Sequence, residues 1–266
     1  MHSAALKVFI TGASSGIGSA LATHYARKGA VLGLAARRGD QLAILADTLF
    51  SEGAKHVSCY PLDVTDADAL RSAAIDFITS EGARPPDIVI ANAGVSSGTL
   101  TECSEDLEAF RRIFDINVYG MAATFSPFIA AMRQAAKAGI PVRLVGIASV
   151  AGVRGLPGAE AYSASKSAAI TYLESLRLEM RESGIKVVTI APGYIETPMT
   201  AINPYRMPFL LTADDAARRF ARAIERGTSY SVIPWQMGIV AKVLRVLPNA
   251  LYDRLFVNAP RKPRVL

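Results

Sequence analysis

Tyr162 and Lys166 stand four residues apart in the stretch AYSASK, residues 161–166. On a helix this spacing puts a phenol and an ammonium on one face. A free tyrosine titrates near pH 10, too high for ready proton exchange at neutrality, and a nearby positive charge favours the phenolate. Lowering it by two to three units takes about 3–4 kcal/mol, which a partly desolvated ammonium can supply and an exposed one cannot. Ser149 precedes Tyr162 by 13 residues, at the end of the run VRLVGIAS. Its hydroxyl can hold an oxygen where negative charge develops, so the three groups together suit proton transfer to or from a carbonyl or alcohol oxygen. A Tyr-x-x-x-Lys pattern also arises by chance, so its setting has to decide.

That setting is a regular alternation of strands and helices. The runs 6–11, 30–36, 56–63, 87–92, 142–149, 185–192 and 230–234 are apolar and mostly lack polar alternation, as strands buried on both faces do. Amphipathic segments 16–28, 38–52, 66–80, 104–138, 160–183 and 213–226 lie between them. The last of these opens on Thr212 and Asp215, a helix-start pair, and turns Ala216, Phe220 and Ile224 inward. The pattern predicts an α/β fold, a Rossmann-like doubly wound parallel sheet of about seven strands with helices on both faces. In such a sheet ligands bind at the carboxyl ends of the strands, where the candidate residues fall.

The first strand runs into TGASSGIG, residues 11–18. Gly12, Gly16 and Gly18 permit a tight turn, close backbone approach and close helix packing, with free N–H groups at the helix start for a pyrophosphate; a plain glycine-rich turn reads the same way. An NAD site of this architecture places an acid about 20 residues further on, at the end of the second strand. Here Ala36 occupies that place, followed by Arg37 and Arg38. Without a carboxylate there is no repulsion, and a guanidinium suits a 2′-phosphate, so NADP(H) is expected over NAD(H) unless the two arginines simply open a solvated helix.

The G-x-x-x-G-x-G spacing together with YSASK resembles the short-chain dehydrogenase/reductase family over roughly residues 5–234. The resemblance implies that Gly12, Ser14, Ser15 and Ile17 line the cofactor phosphates. It further implies that Asp63, with Val64 beside it, meets the adenine, and that Asn92, Ala93 and Gly94 support the sheet and touch the adenosine ribose. Ala91 departs from the asparagine the family often carries there. Ser149, Tyr162 and Lys166 match the family's catalytic triad, and Asn117 matches the asparagine of its proton relay to the lysine. After Pro192 and Gly193, which read equally as an ordinary turn, the Ile195 backbone and the Thr197 hydroxyl match the groups that hold the nicotinamide carboxamide. The implied protein is an oxidoreductase moving a hydride between nicotinamide and a carbonyl or secondary alcohol. A nucleotide-binding sensor or scaffold without turnover is the rival, and the intact triad counts against it.

Composition agrees with an ordered enzyme. Of 266 residues 51% are apolar and 20% charged. Cys59 and Cys103 make no disulfide framework and no leader pattern precedes the first strand, so a reducing, cytoplasmic setting is expected. His2, His24 and His56 lack metal-ligand spacing. The net charge is +6, but residues 235–266 carry six bases against one acid, a net of +5, leaving +1 for the other 234 residues. Nucleic acid is therefore not an expected partner. Two segments remain outside the motifs. Residues 198–212 form an irregular stretch in which Ile202, Tyr205, Met207, Phe209 and Leu210 would wall a hydrophobic substrate site, or else are ordinary packing. The catalytic region is placed at 1–234, and 235–266 reads as a basic amphipathic helical extension. It could lie on an anionic membrane surface, close over the substrate cleft, or pack on another copy in a homo-oligomer.

Overall fold

The computed structural model describes residues 5–264. Seven strands, β1 (Lys7–Thr11), β2 (Val31–Ala36), β3 (His56–Pro61), β4 (Ile88–Ala91), β5 (Arg143–Ile147), β6 (Lys186–Pro192) and β7 (Tyr230–Ile233), pair in the order β3-β2-β1-β4-β5-β6-β7. Every pairing is parallel. The chain builds outward from β1 to β3 and then returns to set β4 on the other side of β1. At that reversal the crossover helices leave opposite faces, so a crevice opens beyond the strand ends.

Alternate side chains of each strand serve different layers. Val8, Ile10, Leu32 and Leu34 face α1 (Gly16–Ala26), α2 (Gly39–Ser51) and α8 (Ala213–Arg226), meeting Leu21, Leu42, Leu49, Phe220 and Ile224. Phe9, Val89 and Leu144 face α3 (Ala67–Ala83), α5 (Gly120–Lys137) and α6 (Glu160–Glu179), meeting Phe77, Phe125, Phe128 and Leu173. The Phe9 ring lies 4.9 Å from Phe128 and 5.5 Å from Phe77. Gly33, paired beside Phe9, leaves room for both rings, since a Cβ there would sit 2.7 Å from Phe9 and 2.9 Å from Phe77.

The expected elements are all present, and two differ in detail. The predicted 66–80 helix continues to Ala83 but is broken at Ser80, Glu81 and Gly82. The run 104–138 is not one regular helix. α4 (Asp106–Phe114) passes through a π-helical turn, Asp115–Tyr119, before α5 begins. A π-turn inserts an extra residue, and Asn117 sits within it, fully buried. The combined run Asp106–Lys137 is long and apolar enough to cross a membrane by composition, yet Phe125, Phe128 and Met132 are completely buried in the core.

Beyond β7 the chain forms α9 (Trp235–Val246) and α10 (Asn249–Phe256). α9 seats Met237 against Gly193, where a Cβ would come within 2.7 Å of it. Arg154 donates to the carbonyls of Leu244 and Leu247 at 2.7 and 2.6 Å and lies over the Tyr252 ring at 4.2 Å. The Tyr252 hydroxyl donates to the Gly155 carbonyl at 2.5 Å. The two helices are thus docked on the sheet-and-helix body by hydrogen bonds from the loop before α6, while Trp235, Val243, Val246 and Leu255 remain exposed on their outside.

Candidate active site

β1 ends at Thr11 and the chain turns through Gly12 and Gly16, whose φ angles of +65° and +58° are the left-handed conformation that glycine adopts without strain. The turn also needs their missing side chains. A Cβ on Gly12 would lie 2.7 Å from Ala93 Cα, and one on Gly16 would lie 3.1 Å from Thr197. Gly18 packs directly on the Gly12 carbonyl. Asn92 then fastens the loop after β4 to this turn, its amide donating to the Thr11 and Gly12 carbonyls at 3.1 Å each. Three loops from β1, β4 and β6 are so drawn around one cleft of about 420 Å³.

Of the residues predicted to hold the cofactor or carry the chemistry, all but two line this cleft: Gly18 acts from behind through packing, and Asn117 through contacts to neighbours. At the glycine-turn end Ser15 makes no side-chain cap, so no side chain there occupies the first N–H groups of α1, which could receive an anion. Arg38 donates to the Ser14 and Ser15 hydroxyls at 2.9 and 3.0 Å, which fastens a guanidinium to the glycine turn. Arg37 stands 4.0 Å from Asp63, whose carboxylate also accepts from the Thr65 N–H and hydroxyl at 3.0 and 2.9 Å. Ala36 ends β2 without an acid. Across the cleft Ile195 is buried and Thr200 donates to its carbonyl at 2.6 Å, while the Thr197 and Thr200 hydroxyls share a 3.2 Å hydrogen bond.

At the other end Ser149, Tyr162 and Lys166 converge. Gly152, in the single 3₁₀ turn after Ser149, touches the Lys166 backbone so closely that a Cβ would fall 2.6 Å from it. This contact holds the end of β5 against α6. The Lys166 ammonium donates to the Ile147 carbonyl at 2.9 Å and lies 5.9 Å from the centre of the Tyr162 ring. Gly94 leaves the space between Lys166 and Asn117 open, since its Cβ would lie 3.5 Å from the ammonium and 3.2 Å from Asn117 Oδ1. Asn117 is locked by Val95, accepting from its N–H at 2.8 Å and donating to its carbonyl at 3.0 Å, and donates also to Ser165.

One electrostatic expectation needs correcting. The Tyr162 phenol is not lowered within the protein by Lys166; burial pushes it up, and the Ser149 hydroxyl opposes that only in part. Burial also pulls the Lys166 ammonium down to about 8. The same desolvation disfavours both the phenolate and the ammonium, so the protein by itself holds Tyr162 as a protonated acid.

The predicted apolar wall after β6 is likewise different. Ile202, Phe209 and Leu210 are exposed, because the stretch past α7 (Pro198–Ala201) turns them to solvent. Tyr205 packs edge-on to Tyr194 at 6.4 Å and lies within electrostatic reach of Tyr162. Sequence reasoning missed the Ile147 carbonyl, Thr200 and Lys262. Lys262 lies 5.5 Å from the centre of the Tyr162 ring, a contact across 100 residues that no local pattern marks. Among the described residues no cluster of His, Cys, Asp and Glu could hold a metal ion; His2 lies outside them.

A parallel seven-stranded sheet with a glycine turn at its reversal and a Ser, Tyr and Lys set at one end of the cleft defines a dinucleotide-binding oxidoreductase architecture. The family model of short chain dehydrogenases matches residues 6–205. The chain belongs to the short-chain dehydrogenase/reductase family. It is 41% identical to an uncharacterized oxidoreductase of Myxococcus xanthus, over 92% of this chain and 93% of that one. It is 34% identical to an 11-beta-hydroxysteroid dehydrogenase-like protein of Arabidopsis thaliana, over 94% and 82% of the two chains. A short-chain dehydrogenase/reductase of Burkholderia phymatum, solved in complex with NAD, superposes with a TM-score of 0.80 at 25% identity, covering 98% of both chains. An alcohol dehydrogenase of Thermococcus sibiricus complexed with 5-hydroxy-NADP gives 0.74 at 25% identity, over 86% and 95%.

Proposed function

We propose that the protein is an NADP(H)-dependent reductase of carbonyl compounds, or the corresponding alcohol dehydrogenase. The convergence of Ser149, Tyr162, Lys166 and Asn117 at one end of a cleft whose other end is an uncapped helix start carries this reading. Arg38 on the glycine turn, with no acid at Ala36, favours the phosphorylated cofactor.

A bound nicotinamide supplies or accepts the hydride. The chain's own residues manage the oxygen. Tyr162, kept protonated by burial, donates its proton to the oxygen of a carbonyl as negative charge grows there. The Ser149 hydroxyl, oriented by accepting the Ala151 N–H at 3.1 Å, donates a second hydrogen bond to the same oxygen. Lys166, fixed on the Ile147 carbonyl, brings positive charge to the side of the phenolate that results. In the oxidative direction the steps reverse, and the nearby Lys166 ammonium favours the phenolate base.

The same reading makes the protein a homo-oligomer, supported by Leu107, Tyr119 and Leu178, apolar side chains left exposed on α4, the π-turn and α6. Sedimentation of the purified protein reads this out directly. For the activity, the test is a panel of ketones and aldehydes followed by NADPH and NADH absorbance, with Tyr162→Phe alongside. A substrate reduced equally fast by both proteins refutes the assigned proton donor.

A further inference from the structure

Past α10 the chain runs beside Tyr162, and its neighbours fix residues 261–264. Gly158, at φ +66°, makes room for the Arg261 stem, from which a Cβ would be 2.9 Å away. Gly98 lies so close under the Lys262 carbonyl that any side chain there would strike it. The Gly98 N–H donates to the Pro263 carbonyl at 2.8 Å. Arg264 pairs with Asp106 at 2.9 Å and with Glu105 at 3.0 Å. Asp106 is itself only 8% exposed and accepts from the Leu100 N–H at 2.8 Å, so the anchor is rigid.

Lys262 hangs between these anchors with its ammonium 5.5 Å from the Tyr162 ring centre, nearer than the 5.9 Å of Lys166. Lys166 has the Ile147 carbonyl as partner; Lys262, among the described residues, has neither a hydrogen bond nor an ion pair from its side chain. Burial lowers the ammonium to about 8, and among the described residues no acid restores it. A partly desolvated cation without an anion among the described residues, held by a pinned C-terminal segment beside the proton donor, is an incomplete ion pair.

We propose that Lys262 recognises a carboxylate carried within a few bonds of the reacting carbonyl, so that the substrate is an oxo acid or its hydroxy acid. This rests on the oxidoreductase reading above and narrows its substrate class. A charge-assisted hydrogen bond to this partly desolvated ammonium discriminates against a neutral analogue, because the analogue leaves the cation unpaired.

The test compares aromatic oxo acids, with the carboxylate one to three carbons from the ketone, against their methyl esters. Initial rates are taken with NADPH for the wild type, Lys262→Met and Lys262→Arg. The ratio of kcat/KM for acid over ester is expected to fall at least about tenfold in Lys262→Met and to recover largely in Lys262→Arg. In parallel, calorimetry on the protein with NADP measures phenylacetate against phenylacetamide. Phenylacetate is expected to bind the wild type more tightly than the amide and to lose that advantage in Lys262→Met. Equal losses on acid and ester, or phenylacetate held no better than the amide by the wild type, would overturn the proposal. Failure of the oxidoreductase reading looks different: no cofactor oxidation with any ketone or ester, whatever phenylacetate does.

Discussion

Arg38→Leu separates the two nicotinamide cofactors. In the wild type the Arg38 guanidinium is exposed but tied to Ser14 and Ser15 at 2.9 and 3.0 Å, so on the proposed reading it would meet a 2′-phosphate without having to be ordered first. A unit charge about 4 Å from it is worth about 1 kcal/mol in bulk water and about 4 kcal/mol near a protein surface. Hydrogen bonds to charged groups contribute about 1.5–3 kcal/mol. Taking about 2 kcal/mol for this open position, kcat/KM for NADPH should fall about 30-fold in Arg38→Leu. The variant also frees the two serine hydroxyls and loosens the turn, an effect common to both cofactors. The quantity to measure is therefore the ratio of kcat/KM for NADPH to that for NADH, from initial rates at one ionic strength, since exposed charge is screened by salt. A wild type that prefers NADH, or a ratio unmoved by the substitution, refutes the cofactor assignment and with it the role given to Ala36 and Arg38.

Tyr162→Phe should reduce turnover about 10²–10⁴-fold while NADPH affinity, followed by fluorescence titration, changes little. Raising the pH from about 8 towards 10.5 should stabilise the wild type relative to Lys166→Met: over that window the unfolded lysine still holds a proton that the buried one has released, so the unfolding free energy rises with pH. Urea melts across that range, with the wild-type-minus-variant difference as readout, check the sign. Gly33→Ala should cost about 1–3 kcal/mol by driving a methyl into Phe9 and Phe77, seen as a lower urea midpoint with an unchanged slope. Gly98→Ala pushes on the Lys262 carbonyl and should loosen the C-terminal segment, giving faster proteolytic cutting near residue 262 with the β1–β6 core intact.

What the sequence determines here is local. Strand runs buried on both faces, the 3.6-residue stripes of α1 and α8, the left-handed glycines at 12 and 16 and the four-residue step from Tyr162 to Lys166 each depend on neighbours along the chain, so periodicity and residue type reveal them. The tertiary structure decides whatever depends on which distant segments meet. Only the sheet order sets the loop after β4 on the glycine turn through Asn92, only the π-turn brings Asn117 inward, and only packing turns Ile202 and Phe209 out to solvent. Burial then reverses an electrostatic expectation that spacing suggests, because a charge four residues away acts on Tyr162 less than the loss of water does. Lys262 reaches Tyr162 through anchors at Gly98, Asp106 and Gly158, each roughly a hundred or more residues away, and contacts closed over such loops leave no period in the sequence to read.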